Sequence, residues 1–115
     1  MTLKKTTTSF YGIKANDLNI RTVVEREIKR LGVKADLNHI DVSEVTDMSS
    51  LFLGLQFDGN ISEWDVSNVK NMNCMLAFST FNGDISKWNV SNVVDSNYCF
   101  YDSPLGNHKY KQPKF

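Results

Sequence analysis

The stretch Phe57-Asp-Gly-Asn-Ile-Ser-Glu-Trp-Asp-Val-Ser-Asn-Val69 returns 24 residues later as Phe81-Asn-Gly-Asp-Ile-Ser-Lys-Trp-Asn-Val-Ser-Asn-Val93. Phe, Gly, Ile, Ser, Trp, Val, Ser, Asn and Val are identical between the two copies, which chance alone does not produce. Another step of 24 towards the N-terminus places Leu37, Ile40, Val42, Ser43, Val45 and Met48 on Ile61, Trp64, Val66, Ser67, Val69 and Met72 without a gap. The chain therefore divides into an N-terminal segment, 1–32, three 24-residue units, 33–56, 57–80 and 81–104, and a C-terminal tail, 105–115. A fixed period of 20–50 residues is the mark of a solenoid, in which each unit buries its apolar face only against its neighbours.

Inside a unit the apolar spacing Ile61-x-x-Trp64-x-Val66-x-x-Val69-x-x-Met72-x-x-Met75 begins like the strand of a leucine-rich repeat. It predicts a short strand near 63–67, with Trp64 and Val66 inward and Glu63, Asp65 and Ser67 outward. In register, Ile40, Trp64 and Trp88 form one internal column and Val42, Val66 and Val90 another. Val69, Met72 and Met75 recur every third residue, which suits a 3₁₀-like return. Phe57-Asp58-Gly59 and Phe81-Asn82-Gly83 supply one turn per unit. Upstream, Ile20, Val23, Val24, Ile28 and Leu31 mark one face of an amphipathic helix that ends at Gly32, with Asn16, Asp17 or Asn19 as its N-cap. Such a helix would cover the open end of the first unit. The expected fold is thus an α+β solenoid, a short leucine-rich-repeat-like stack of three units with an N-terminal helical cap.

The chain has 115 residues, 41% hydrophobic and 23% charged, which fits one globular domain and argues against a disordered or fibrous chain. No apolar run approaches the roughly 18–20 residues of a membrane span, and the start MTLKKTTTSFYGIK has no signal-peptide core. A cytoplasmic location is expected. The zero net charge hides a segregation: 1–32 has seven Lys/Arg against three Asp/Glu, 33–104 has three against ten, and 105–115 has three against none. An acidic middle repels nucleic acid and attracts basic protein surfaces over a Debye length of about 8 Å. The tail, with Lys109, Lys111 and Lys114 interleaved with Tyr110 and Phe115, is expected to be solvated.

No catalytic, metal or cofactor signature emerges. The sequence contains no G-x-S-x-G, P-loop, H-E-x-x-H or dinucleotide-binding fingerprint. Cys74 and Cys99 lack a metal-ligand spacing and read as small buried residues, with a disulfide between them left open by the sequence. His39 falls at an outward position equivalent to Glu63 and Lys87, and His108 in the polar tail. Asp41, Asp65 and Asn89 form an outward row beside Ser43, Ser67 and Ser91. Such rows more often bind neighbouring backbone than a cation. Trp64 and Trp88 read as core residues in preference to a stacking platform.

The phrases Asp36-Leu-Asn-His-Ile-Asp-Val-Ser-Glu-Val-Thr-Asp-Met-Ser-Ser-Leu-Phe52 and Phe81 to Val93 resemble the repeats of bacterial BspA-like leucine-rich-repeat proteins and mycoplasma-type lipoproteins. The leading helix is similar to that of small bacterial and prophage members, which would place a phage-encoded chain in the host cytoplasm. The resemblance implies a leucine-rich-repeat-like solenoid, and surface display with host-protein or matrix binding in the large members.

The expectation for function is a non-catalytic protein-binding module. It would act as a stoichiometric inhibitor of a basic, nucleic-acid-handling host protein, engaged through outward Asp41, Glu63 and Asp65. Glu44, Asp47, Asp58, Asp84 and Asp95 lie on the turns, and Phe10, Tyr11 and Tyr101 are candidate anchors. A nucleic-acid binder acting through its basic ends and a fragment-sized surface adhesin are the alternatives from other classes.

Overall fold

A computed structural model describes residues 12–115 of the chain. Phe10 and Tyr11, two of the candidate anchors, lie outside the described residues.

Two residues of strand β1, Ile13–Lys14, precede helix α1, Ile20–Leu31, and strand β2, Ile40–Asp41, follows it. β1 and β2 pair in parallel, Ile13 with Ile40 and Lys14 with Asp41. The helix buries Ile20, Val23, Val24 and Glu27, an i, i+3, i+4, i+7 face. Leu31 is 44% exposed. Asn19 is the N-cap residue without a side-chain capping bond, and Gly32 ends the helix at φ 100°, its amide donating to the carbonyl of Ile28 at 2.7 Å. Asp17 does not cap the helix but ties its start to the body. The Asp17 carboxylate accepts from the Thr46 amide at 2.7 Å, the Thr46 hydroxyl at 2.6 Å and the Asp47 amide at 3.1 Å.

The expected leucine-rich-repeat-like solenoid, with a strand in each unit, is not the fold of this chain. Regular structure among the described residues amounts to one α-helix, one two-stranded sheet of two residues per strand, and two short 3₁₀ helices at Pro104–Asn107 and Lys109–Lys111. Residues 63–67 and 87–91 form no strand. The reason lies in where their backbone groups go. The Trp64 amide donates to Ile61 three residues back, and the Val69 amide donates to Val66. Asp65 accepts from both the amide and the hydroxyl of Ser67, at 3.0 and 2.6 Å. Asp41 and Ser43, and Asn89 and Ser91, repeat the amide bond, so local Asx turns consume the groups that a strand ladder needs.

Cross-segment bonding is concentrated in three turn segments, 48–54, 72–78 and 96–102. Amides of Met48, Ser50, Phe52 and Gly54 donate to the carbonyls of Asn71, Asn73, Met75 and Ala77 at 2.8–2.9 Å. Amides of Met72, Cys74, Leu76 and Phe78 donate in the same way to Asp95, Asn97, Cys99 and Tyr101, again at 2.8–2.9 Å. Intervening amides bond within their own segment, Leu51 to Met48 and Leu53 to Ser50, for example. Every fourth residue is left-handed to allow this alternation: Ser50 and Gly54, Cys74 and Phe78, Tyr98 and Asp102, with φ between 52° and 69°. Only one of the six is glycine.

The core runs beneath these turns. Ile40, Val42, Trp64, Val66, Trp88 and Val90 are all buried. The Trp64 and Trp88 rings stack 6.4 Å apart at 8°, and each indole N–H donates to a carbonyl 27 residues back, Leu37 at 2.9 Å and Ile61 at 3.1 Å. Phe52, Phe57 and Phe81 continue the aromatic filling with ring separations of 5.0 and 5.8 Å. Gly59 is demanded by this packing, since a Cβ there would lie 1.9 Å from the Ala35 carbonyl oxygen. The tail is not the solvated arm its composition suggests. Leu105 is fully buried, the Lys111 carbonyl accepts from the Ile85 amide at 2.9 Å, and Phe115 lies against Phe100.

Candidate functional site

Three exposed aromatic rings form a contiguous trio that the turn segments build. Phe78 and Tyr98 sit edge-on to Tyr101, each with ring centroids 5.5 Å from it. Exposures are 54% for Phe78, 68% for Tyr98 and 55% for Tyr101. Phe78 and Tyr98 hold left-handed backbone, φ 58° and 56°, a conformation that costs a non-glycine residue roughly 1–2 kcal/mol. Gly54, 24 residues before Phe78, occupies the same conformation without that cost. Ser50, Cys74 and Asp102 share the conformation, so the turns set the backbone, and what distinguishes Phe78 and Tyr98 is a large ring kept exposed on it. Beside the trio lies an open cleft of about 630 Å³ lined by Phe100, Tyr101, Asp102, Pro104, Gly106 and His108. The sequence had singled out Tyr101; Phe78 and Tyr98 were missed. The available signal was that each stands where another unit has Gly54 or Ser50.

The acidic residues are exposed but partly committed. Asp41 lies 3.4 Å from the Lys14 ammonium, which also reaches Glu44 at 3.3 Å. Its carboxyl is held below its usual range by the Ser43 hydroxyl and amide first, and by Lys14 after them. Asp65 is held down in the same way by Ser67, with Asp41 opposing as a like charge. Glu63 is exposed, and with Ser62, Asp84 and Lys87 lines a shallow cleft. Lys34 reaches Asp58 at 3.7 Å. Asp65, Glu63 and Asp84 are thus outward carboxylates without a cation within salt-bridge distance among the described residues. Asp41, Asp65 and Asn89 spend their side-chain oxygens on local turns, and no group of three or more His, Cys, Asp or Glu among the described residues could hold a metal ion.

A second polar cluster closes the opposite end. Glu27, on the buried face of α1 and 3% exposed, takes the Arg30 guanidinium at 2.8 and 3.1 Å and lies 2.7 Å from His39 Nε2, which donates to the ionised carboxylate. Arg30 chiefly, with His39, holds the Glu27 carboxyl down at about 2. The sequence places His39 at an outward position with a structural or incidental role; in the structure it is half-buried and docks the helix through Glu27. Cys74 and Cys99 are both free thiols, and burial pushes Cys99 up to about 12.

A turn-rich domain built on a 24-residue sequence period, with an exposed aromatic edge and no assembled catalytic or metal centre among its described residues, is the class that fold and surface define. The chain belongs to the DUF285 family, described as a Mycoplasma protein of unknown function, whose profile matches residues 18–113. The match spans the helix, the repeated region and most of the tail, and bears out the mycoplasma-type side of the resemblance. Neither a search of curated proteins nor one of solved structures finds a match.

Proposed function

We propose that the chain is a non-catalytic protein-binding module whose anchor is the Phe78, Tyr98 and Tyr101 trio. The observation that carries this reading is two strained, exposed aromatics packed edge-on around a third. Aromatic clusters of this kind dominate interface energies, because they bury large area at little cost in side-chain entropy. The carboxylates Asp65, Glu63 and Asp84, which have no cation within salt-bridge distance among the described residues, favour a partner with a basic contact surface, such as a protein that handles nucleic acid, and chiefly raise its association rate. Inhibition by occupancy is the mode of action this reading implies. The repeated Ile-Ser-x-Trp phrasing of 61–64 and 85–88 supports kinship with BspA-like proteins as part of the same proposal.

The test captures partners from lysate of the source cell with the wild-type chain and with a Phe78→Gly, Tyr101→Ala double variant. A partner retained by the first and lost by the second, with an association rate that falls with salt and on charge reversal at Asp65 and Glu63, is the expected result. A partner held equally by both chains overturns the reading.

A further inference from the structure

Four amides of the third turn segment have no acceptor among the described residues. In segment 48–54 the amides at alternate positions are matched by carbonyls at alternate positions of 71–77, and those of 72–78 by carbonyls of 95–101, eight bonds of 2.8–2.9 Å in all. Segment 96–102 repeats the pattern internally, with the Cys99 amide donating to Ser96 at 3.3 Å and the Tyr101 amide to Tyr98 at 3.2 Å. The corresponding outward amides, those of Ser96, Tyr98, Phe100 and Asp102, find no acceptor among the described residues. Two of the four residues are exposed and two half-buried. Left-handed backbone at Tyr98 and Asp102, φ 56° and 52°, keeps the row in the conformation of its two matched predecessors. The row borders the 630 Å³ cleft through Phe100 and Asp102, and Tyr98 and Tyr101 of the aromatic trio belong to the same segment.

From this geometry we infer that residues 96–102 are a backbone docking edge for a peptide segment of a partner protein that takes up the turn conformation of 72–78. The peptide would present carbonyls at alternate positions to the amides of Ser96, Tyr98, Phe100 and Asp102, and set an apolar or aromatic side chain against the trio. Addition of a peptide to an exposed edge uses main-chain bonds for affinity and alternate side chains for specificity. The chemistry of the occupant is read from the chain itself, which twice satisfies such a row with carbonyls at i, i+2, i+4 and i+6. A second copy of this chain is the wrong occupant. Its own candidate acceptor row, the carbonyls of Asp47, Ser49, Leu51 and Leu53, lies along the segment that α1 packs over. Arg21 already donates to Ser49 and Ser50 there, at 3.3 and 3.0 Å, and Leu51 is 2% exposed. The inference deepens the protein-binding reading, on which it rests, by naming what is bound and by which atoms.

The probe is a synthetic capped peptide of residues 95–102, Asp-Ser-Asn-Tyr-Cys-Phe-Tyr-Asp, the segment that satisfies the preceding donor row, with a scrambled peptide of the same composition as control. It is titrated to millimolar concentration into the isotope-labelled full chain, and backbone amide signals are followed by NMR. Saturable downfield shifts at Ser96, Tyr98, Phe100 and Asp102, absent at Cys99 and Tyr101 and at least tenfold weaker with the scrambled peptide, are expected. The Phe78→Gly, Tyr101→Ala variant should weaken binding several-fold while the alternating pattern persists. No saturable shift at the four amides, or shifts confined to aromatic side chains, overturns the backbone edge. Shifts confined to the aromatics leave the protein-binding reading standing, whereas loss of aromatic dependence in lysate capture removes that reading independently. Concentration-dependent shifts at the four amides without peptide would identify a second copy and also overturn the inference.

Discussion

The two ends of the molecule are finished differently. At the N-terminal end α1 lies over the first turn segment, Asp17 binds Thr46 and Asp47, Arg21 binds the carbonyls of Ser49 and Ser50, and the buried Glu27 carboxylate gathers Arg30 and His39. At the C-terminal end the tail covers only part of the third segment. Leu105 binds the Phe81 carbonyl, and Lys111 reaches Ile85 and Asn82, while four amides of 96–102 and three aromatic rings stay outward. Asn82 Oδ1 is the one buried side-chain polar atom without a partner among the described residues, whereas the matching Asp58 oxygen takes the Asn82 amide at 2.9 Å. Unpaired backbone edges invite association, and proteins ordinarily blunt them. The edge is closed with charge, helix and side-chain caps at one end and left open at the other, as the proposed docking role requires.

Removing what both ends share should have the largest effect. Trp64→Ala takes away a ring stacked on Trp88 and Phe52 and one of the two donors to the Leu37 carbonyl, which keeps only the Ile40 amide, at a cost of about 3–5 kcal/mol in denaturant unfolding. A loss below about 1 kcal/mol would show that the ends are not joined through this core.

Breaking the closed end alone should cost less. Glu27→Gln removes a buried carboxylate's charge-assisted bonds and should destabilise by about 1–3 kcal/mol at pH 7. Because the folded Glu27 sits at about 2, below its usual 4.5, its contribution is complete above about pH 4.5 and is lost as pH falls towards 2. The gap between wild type and variant should therefore narrow across that window. A gap independent of pH from 7 down to 2 would remove Glu27 from the account.

At the open end the informative pair is Phe78→Gly against Phe78→Ala. Both lose the ring, but only alanine keeps a Cβ at φ 58°, so the glycine variant should be more stable by about 1 kcal/mol. Equal stabilities would mean that the left-handed turn carries no strain. The smallest effect is chemical. Cys99, 4% exposed and pushed up to about 12, should resist alkylation in the native chain far longer than half-buried Cys74. Comparable labelling rates would mean that the C-terminal end opens readily as far as its core.

Legibility in the sequence followed the apolar periods. The spacing of Ile20, Val23 and Val24 up to Gly32 reads as a helix because its face is amphipathic and its stop is a glycine. The 24-residue spacing of Trp64 and Trp88 carried enough information to put their rings in one column. The strand expected at 63–67 failed because apolar alternation is shared by strands and by successive turns, and Asp65 and Ser67 decide between them through local bonds. Segment 72–78 hid its left-handed positions, since Cys74 and Phe78 lack the glycine that would announce them. Glu27, a charge within an apolar face, could be recognised as buried only once His39 and Arg30 were known to meet it. The acidic residues were visible as composition, but the neutralisation of Asp41 and Glu44 by Lys14 depends on the pairing of β1 with β2.

The contrast between the ends is tested most directly by amide hydrogen exchange, resolved residue by residue in the free chain. The account predicts strong protection at Met72, Cys74, Leu76 and Phe78, whose amides donate to 95–101, and exchange close to the unprotected rate at Ser96, Tyr98, Phe100 and Asp102. Protection of the last four equal to that of the first four would contradict it, because the C-terminal edge would then already be closed.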